Sequence, residues 1–321
     1  LFELFAAHYI GYFFYDGGGD SQDTTFKVSE MSKKLKFPLL CISIPKTVDN
    51  DLPYTDCSPG FGSVAKYVAT STLEAGLDVK SMAETSTKVF ILEVMGRHAG
   101  WIAAASCLAA SNQGDPPHII LLPEIPFEKN KFIARVKETV KKYGYCVIVA
   151  SEGTKTKTGK FLADSGLTDA FGHKQLGGVA PVISSMISKI GLKNHWAVAD
   201  YLQRSARHIA SKTDLDQAYA VGVQAVKLAV AGKTAVMPVI KRLSDTPYKW
   251  QIGSAPLKNI ANIEKSVPRK FISKDGFAVT SAGRRYLNPL IQGEAPTNFK
   301  HGIPEVALLK KSFVKKKLKK F

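Results

Sequence analysis

Short apolar runs alternate along the chain with longer segments whose apolar residues recur at helical spacing, such as residues 23–36 and 61–83. The short runs are rich in β-branched and aromatic residues and read YIGYFFY, PLLCISI, KVFILEV, HIILLPE and YCVIVAS. Strands that alternate with helices in this way are typical of βα units, which build parallel sheets covered by helices. We therefore predict an α/β fold of doubly wound parallel sheets with helices on both faces.

Polar and glycine residues follow the predicted strands. In doubly wound sheets ligands bind beyond the carboxyl ends of the strands, so these positions are the first candidates for a site. The stretches concerned are residues 16–24, 44–51, 95–98, 152–154 and 195–208.

The first stretch holds three consecutive glycines, Gly17 to Gly19, followed by Asp20 and Ser21 at the start of a predicted helix. Such a turn lets the backbone approach a ligand and points free amide groups at phosphate. Tight βα turns also use glycine for purely structural reasons, and that alternative stays open. The spacing is neither a Walker loop nor G-x-G-x-x-G, which counts against a P-loop enzyme or a dinucleotide fold.

The second stretch places Lys46, Thr47, Asp49 and Asp51 directly after a strand. In an extended segment, acids two positions apart project to the same side. Two facing carboxylates repel each other or share a cation such as Mg²⁺ with phosphate oxygens, which leaves one acid free to act as a base. The structural alternative is an Asx-rich turn that caps the next helix.

The remaining stretches supply charges suited to phosphate and sugar. Arg97 follows a flexible Met-Gly turn and suits a phosphoryl group in transfer, although a surface arginine is the simpler interpretation. Glu152 could accept sugar hydroxyls or cap a segment. Arg204, three residues after Tyr201, could hold a terminal phosphate.

Composition narrows the class of protein without fixing it. The 321 residues are 45% hydrophobic and 22% charged, which suits two packed domains. The net charge of +17 favours anionic partners: nucleic acid, acidic lipid or phosphorylated metabolites. Seven lysines lie in the last twelve residues, where a solvated tail and a basic amphipathic helix are the alternatives.

Cysteine usage and hydropathy indicate the compartment. Four widely spaced cysteines form no CxxC pair, as expected of free buried thiols under reducing conditions. No apolar stretch is long enough to span a membrane, and no basic region precedes the first hydrophobic residues. We expect a soluble, cytoplasmic protein.

Five motifs occur in order at consecutive strand ends: Gly-Gly-Gly-Asp-Ser (17–21), Pro-Lys-Thr-Val-Asp-Asn-Asp (45–51), Met-Gly-Arg (95–97), Ser-Glu-Gly (151–153) and Tyr-Leu-Gln-Arg (201–204). Together they resemble the phosphofructokinase family, and most closely its pyrophosphate-dependent branch. The resemblance spans residues 11 to about 240 and implies reversible phosphoryl transfer from pyrophosphate to the C1 hydroxyl of fructose 6-phosphate, in glycolysis and gluconeogenesis.

The resemblance implies a role for each motif residue. Asp49 would be the base, Thr47 would orient the sugar, Asp51 would help hold Mg²⁺, and Arg97 would stabilise transition-state charge. The remaining positions implied to contact fructose 6-phosphate are Met95, Gly96, Glu152, Tyr201, Arg204 and, reaching a neighbouring subunit's sugar phosphate, Lys88. Those implied to contact pyrophosphate are Gly18, Gly19, Asp20, Ser21 and Lys46. We expect a homodimer or homotetramer.

Two positions indicate the phosphoryl donor. ATP-using members of the family typically have glycine at the positions of Asp20 and Lys46. A carboxylate at Asp20 would occupy the place of an ATP α-phosphate, and like charges about 4 Å apart cost roughly 1 to 4 kcal/mol. Lys46 would stabilise the leaving phosphate. We predict pyrophosphate as donor; the alternatives are an ATP-dependent kinase and a regulatory subunit, against which the intact Asp49 argues.

The sequence departs from the family pattern in two places. Gly19 stands where the family usually has a magnesium-side aspartate, so the metal would rely on Asp51, Asp20 or water. The chains of the family also begin with another glycine-rich turn and with a further arginine-bearing segment, both of which contact the donor. We expect this chain to lack these two parts.

By similarity we expect two Rossmann-like lobes. Residues 1–60 and 203–255 would form the donor lobe, and residues 61–202 and 256–321 the sugar lobe with the basic tail. We expect no nucleic-acid or membrane partner.

Overall fold

The computed structural model describes residues 1–168, 174–176 and 178–319. The helices are α1 (Phe2–Ala7), α2 (Gly19–Lys34), α3 (Phe61–Met82), α4 (Trp101–Ala105), α5 (Lys129–Tyr143), α6 (Val179–Ser188), α7 (Leu202–Ser205), α8 (Lys212–Val230) and α9 (Ser281–Leu287). The strands are β1 (Tyr12–Gly17), β2 (Leu40–Pro45), β3 (Val89–Val94), β4 (Ile119–Leu121), β5 (Cys146–Ser151), β6 (Asp164–Thr168), β7 (Lys174–Leu176), β8 (Asn194–Val198), β9 (Val236–Asp245), β10 (Tyr248–Pro256), β11 (Phe299–Lys300) and β12 (Ile303–Pro304).

A first four-stranded sheet has the order β1-β2-β9-β10. Strands β1, β2 and β9 run parallel, and α2 and α8 pack on β2. Strand β10 is antiparallel to β9, so this sheet is mixed rather than all parallel as predicted. The reason is the two-residue connection Thr246–Pro247, because only antiparallel strands can be joined by so short a turn.

A second four-stranded sheet, in the order β4-β5-β3-β8, is wholly parallel. The central strands β3 and β5 are almost fully buried, as expected when helices cover both faces. Val94 pairs with Ser151, so the loops after β3 and β5 leave the sheet side by side. This arrangement confirms the predicted α/β class and brings two of the predicted stretches together.

The apolar runs of the sequence form strands β1 to β5, and the ends of the strands differ from those of the runs by at most three residues. The first sheet draws its strands from residues 12–45 and 236–256, and the second from residues 89–198. The exact limits of the two lobes stay a prediction.

The basic tail is not a helix in the described part of the chain. Residues 305–319 adopt no helical or strand conformation, and Phe313 is 92% exposed. The amphipathic-helix alternative is therefore wrong for this segment, because no packed surface stabilises a helix there. The tail residues Lys320 and Phe321 lie outside the described residues. Elsewhere in the described chain, no helix combines the length and apolarity that crossing a bilayer needs.

Candidate active site

The first two strand ends lie next to each other. Gly17 pairs with Pro45, and the Lys46 N–H donates a hydrogen bond to Gly17 O (3.1 Å). The glycine turn thus lies beside the acid-bearing loop, and helix α2 starts at Gly19. Asp20 and Lys46 are both exposed, so both charges are accessible to a ligand.

The loop that follows β2, which we call the base loop (residues 46–58), is bent at Asn50. Asn50 has a φ of +54° and is fully buried. Its side chain accepts a bond from Ser58 N (3.0 Å) and donates one to Tyr286 Oη (3.0 Å). Thr47 Oγ1 accepts from the Asp49 N–H (3.1 Å). These bonds hold the loop conformation around Asp49.

Asp49 and Asp51 of the base loop are costly to ionise. Burial raises the pKa of Asp49 to about 7, and the neighbouring charges of Asp51 and Glu152 add to the rise while Arg97 opposes it. Burial also raises the pKa of Asp51, with further contributions from Glu264 and Asp20. A group with a pKa near 7 is suited to accept a proton at neutral pH.

The loop after β3, which we call the arginine loop (residues 95–100), is held by the end of β5. Gly96 has a φ of +130°, a conformation that L side chains rarely adopt. Its N–H donates to Glu152 Oε1 (3.3 Å), and its carbonyl accepts from Ser151 Oγ (2.5 Å). Burial raises the pKa of Glu152, and the charge of Arg97 opposes that rise. Base loop, arginine loop and Glu152 therefore share one electrostatic environment.

A cleft of about 600 Å³ opens beside these loops. Among the predicted site residues, its lining includes Gly18, Lys46, Thr47, Asp49, Met95 and Arg204. The other predicted site residues do not line the cleft; they are Gly19, Asp20, Ser21, Asp51, Gly96, Arg97, Glu152, Tyr201 and Lys88. The charges of Asp51, Glu152 and Arg97 nevertheless shift the pKa of Asp49, which does line it.

Tyr201 and Arg204 form an exposed pair at the far side of the cleft. The Arg204 guanidinium lies 4.1 Å from the centre of the Tyr201 ring. Stacking of this kind orients a guanidinium and leaves its N–H donors available for an anion.

Lys88 is not brought to the cleft of its own chain. It precedes β3, whereas Met95 follows that strand, so the two ends are separated by about 20 Å of strand. Lys88 Nζ donates to Ala83 O (2.5 Å).

Several lining residues were missed by the sequence interpretation. They are Val48, Pro59, Gly60, Ser63, Val64, Gln203, Ser205, Ala206, Arg207, Ala210, Asp214, Leu215 and Ala218. Gln203 accepts from the Met95 N–H (3.3 Å) and so ties the Tyr201–Arg204 segment to the arginine loop. It lies inside a recognised motif, which is the signal that could have identified it.

Asp214 is a buried acid that shapes the cleft rather than reacting in it. Its carboxylate accepts from Gly60 N (2.9 Å), Ser63 N (3.0 Å) and Ser63 Oγ (2.6 Å). These bonds fix the first turn of α3 against α8, although burial raises the pKa of Asp214. No local sequence pattern marks such a residue, because its partners are about 150 positions away.

The described residues hold no group of three or more His, Cys, Asp or Glu side chains placed to bind a metal ion. Asp51 Oδ1 is nevertheless buried without a hydrogen-bond partner in the described structure. Mg²⁺ commonly uses one or two carboxylates together with water and substrate phosphates, and an orphaned carboxylate oxygen fits that mode.

Comparisons with known proteins agree with one another. The phosphofructokinase family model matches residues 1–229. The pyrophosphate–fructose 6-phosphate 1-phosphotransferase of Halomonas elongata is 64% identical over 100% of this chain and 77% of its own length. The enzyme of the same name from Methylococcus capsulatus is 57% identical over 99% of this chain and 76% of its own. The crystal structure of pyrophosphate-dependent phosphofructokinase from Marinobacter aquaeolei superposes with a TM-score of 0.90 at 58% identity, over 99% of this chain and 76% of that one.

Proposed function

The chain belongs to the phosphofructokinase family, and from that premise we propose that it transfers a phosphoryl group from pyrophosphate to the C1 hydroxyl of fructose 6-phosphate. The observation that carries the proposal is the high identity, over essentially the whole chain, to relatives named for this reaction. The resemblance predicted from the five motifs is thereby confirmed. The products are fructose 1,6-bisphosphate and phosphate, so the enzyme acts in glycolysis.

Asp49 is the proposed base. With a pKa of about 7, its ionised form is present at neutral pH and predominates above it, and this form can take the C1 hydroxyl proton as the oxygen attacks phosphorus. Thr47, which accepts from the Asp49 N–H, orients the sugar. Arg97 offsets the charge on the phosphoryl group in transfer, as positioned cations do in phosphoryl transfer.

Sugar recognition is assigned to the second sheet and the segment after β8. Glu152 accepts sugar hydroxyls beside Met95 and Gly96, and its bond to the Gly96 N–H supports that placement. Tyr201 and Arg204 hold the 6-phosphate, for which their stacked, exposed pair supplies oriented donors.

Donor selection is assigned to the adjacent ends of β1 and β2. Gly18, Gly19 and Ser21 offer backbone and hydroxyl donors to pyrophosphate at the start of α2. Lys46 stabilises the departing phosphate, and Asp20 repels the α-phosphate of a nucleotide.

Enzymes of this family use a divalent metal, which we propose is Mg²⁺. Asp51, with its orphaned buried oxygen, and the exposed Asp20 would hold the ion together with substrate phosphates. When bound, the ion offsets charge on the phosphate oxygens. Gly19 leaves this shell without the acid that the family usually has there.

We also propose a cytoplasmic homo-oligomer. The four cysteines are free and buried, in keeping with a reducing compartment. Lys88 points away from its own cleft, in keeping with a role at a neighbouring subunit. Residues 1–60 and 203–255 are proposed as donor lobe, and residues 61–202 and 256–321 as sugar lobe.

A coupled assay with Mg²⁺ tests the function directly. Turnover of fructose 6-phosphate should be faster with pyrophosphate than with ATP at equal concentration. Faster turnover with ATP would replace the proposal by an ATP-dependent 6-phosphofructokinase. Sugar binding without turnover on either donor would indicate the non-catalytic alternative.

A further inference from the structure

Lys265 contacts the base loop and donates four hydrogen bonds to it. Its Nζ donates to Thr55 O (3.0 Å), Asp56 O (2.9 Å) and Asn50 Oδ1 (3.4 Å). Its backbone N–H donates to Asp51 O (2.6 Å). Lysine is a donor-only point charge with three N–H groups, so this set of acceptors fills its capacity.

The same short segment is bonded to the arginine loop. Trp101 Nε1, directly after that loop, donates to Lys265 O (2.8 Å). Glu124 Oε1 accepts from both Gly100 N and Val267 N, each at 2.9 Å. Glu264 Oε2 lies 3.8 Å from His98 Nδ1. Residues 264–267, which we call the strap, therefore contact both reacting loops.

Strand pairing does not set the separation of these loops, because β2 and β3 belong to different sheets. We propose that Lys265 is a positioning residue: the strap holds Asp49 and Arg97 at the separation that in-line transfer needs. The inference rests on the proposed function, since it concerns the geometry of that reaction. A misplacement of about 1 Å at a reacting centre can cost about 10²-fold in rate.

The charge of Lys265 also reaches the base loop. Burial lowers the pKa of its ammonium to about 8; the charges of Asp56 and Asp51 oppose that fall, and the charge of Arg242 adds to it. Lys265 in turn lowers the pKa of Asp51, which burial, Glu264 and Asp20 raise.

The test is Lys265→Met in the full chain. We expect kcat to fall about 10²-fold, with both KM values within about threefold of wild type. The matched control is Lys66→Met, another mostly buried lysine whose Nζ donates to a backbone carbonyl, Gly293 O (2.9 Å). The control should keep the wild-type kcat.

Amide hydrogen exchange tests the role of the strap without relying on enzymatic activity. In Lys265→Met, exchange should rise in both residues 46–58 and residues 95–101, and in Lys66→Met it should not. If wild type lacks phosphotransferase activity, the proposed function fails, but this measurement still shows whether the strap holds the two loops. Wild-type kcat and wild-type exchange in Lys265→Met would overturn the proposed role of the strap and leave the function standing.

A milder variant covers the case in which Lys265→Met does not fold. Trp101→Phe removes the indole N–H that donates to Lys265 O together with part of the ring, and it keeps an aromatic side chain in the core. We expect a loss of kcat of about tenfold and faster exchange in residues 95–101. Unchanged values in that variant would contradict the proposal.

Discussion

Asp49 lies where burial and neighbouring acids make its ionised form costly, and this sets the pH at which it can act as a base. Its pKa is raised to about 7, so the group is protonated and inactive as a base below that pH. We expect kcat/KM to rise with pH through about 7 and to reach a plateau above it, because this ratio reports the free enzyme. Steady-state assays between about pH 5 and 9 measure the limb.

The variant Asp49→Asn provides the control for that profile. It keeps the size of the side chain and cannot accept a proton, so kcat should fall about 10² to 10⁴-fold at every pH. A limb that stays near pH 7 in residual Asp49→Asn activity would assign the titration to another group, such as Glu152.

Gly153 lies directly against the backbone of the arginine loop. A Cβ at this position would overlap the carbonyl oxygens of Gly96 and Arg97, both of them backbone atoms that side-chain rotation cannot move. We expect Gly153→Ala to displace the arginine loop and lower kcat by about tenfold or more. Gly222→Ala is the control, because a Cβ there meets open space and alanine favours the helix. Wild-type kcat in Gly153→Ala would show that the loop tolerates displacement.

At the scale of elements, the sequence could predict the part of the site that lies at the carboxyl ends of the strands. Parallel strands present their carboxyl ends at one edge, so polar residues after separate apolar runs had to meet. Arg97 and Glu152 satisfy that rule at the ends of β3 and β5. Asp49 follows β2 in the other sheet, so the rule does not account for the electrostatic effect of Arg97 and Glu152 on Asp49.

Elements joined by long-range contacts could not be predicted in this way. Asp214 and Lys265 act through partners some 150 and 210 positions away, for which the sequence has no local pattern. The hairpin of β9 and β10 was predictable in principle, since Tyr248, Trp250 and Ile252 alternate with polar residues directly after a two-residue turn. The antiparallel edge of the first sheet follows from that turn.

The adjacent ends of β1 and β2 should determine the choice of donor. Replacing Asp20 and Lys46 together by glycine removes the charge that repels a nucleotide and the one that assists a small leaving group. We expect kcat/KM for ATP to rise about 5-fold to 10³-fold, corresponding to roughly 1 to 4 kcal/mol, and that for pyrophosphate to fall. Asp23→Gly, the same substitution three positions along α2, should leave the preference unchanged. An unaltered ratio in the double variant would dismiss the charge argument.

At the scale of the whole molecule, each sheet supplies part of the proposed site and neither holds all of it. The first sheet carries the proposed base and the proposed donor loops, the second carries Arg97 and Glu152, and the strap contacts both. A change in the relative position of the sheets would therefore act on rate through Asp49 and Arg97 before it acted on binding. This is why kcat and KM are expected to separate in Lys265→Met.

We expect copies of the chain to pair along the edge of the second sheet. Strand β8 is the last strand of that sheet in the described part of the chain, and it exposes Trp196 (46%) and Val198 (39%). An exposed apolar edge strand favours pairing with another chain. In a two-fold antiparallel pairing, the start of one β8 faces the end of its partner. Lys88, bonded through its N–H to Lys193 O at that start, would then approach the partner's Tyr201 end.

We therefore expect wild type to be at least a dimer by light scattering and Trp196→Lys to be smaller. The KM for fructose 6-phosphate should rise about tenfold in that variant, because the sugar phosphate loses a charge from the neighbouring subunit, while the KM for pyrophosphate changes less. Leu77→Lys, which alters an exposed apolar residue on α3 (56%), is the control and should leave the mass and both KM values unchanged. A dissociated variant with an unchanged KM would place Lys88 outside the sugar site, because the oligomer would then contribute stability without contributing a ligand.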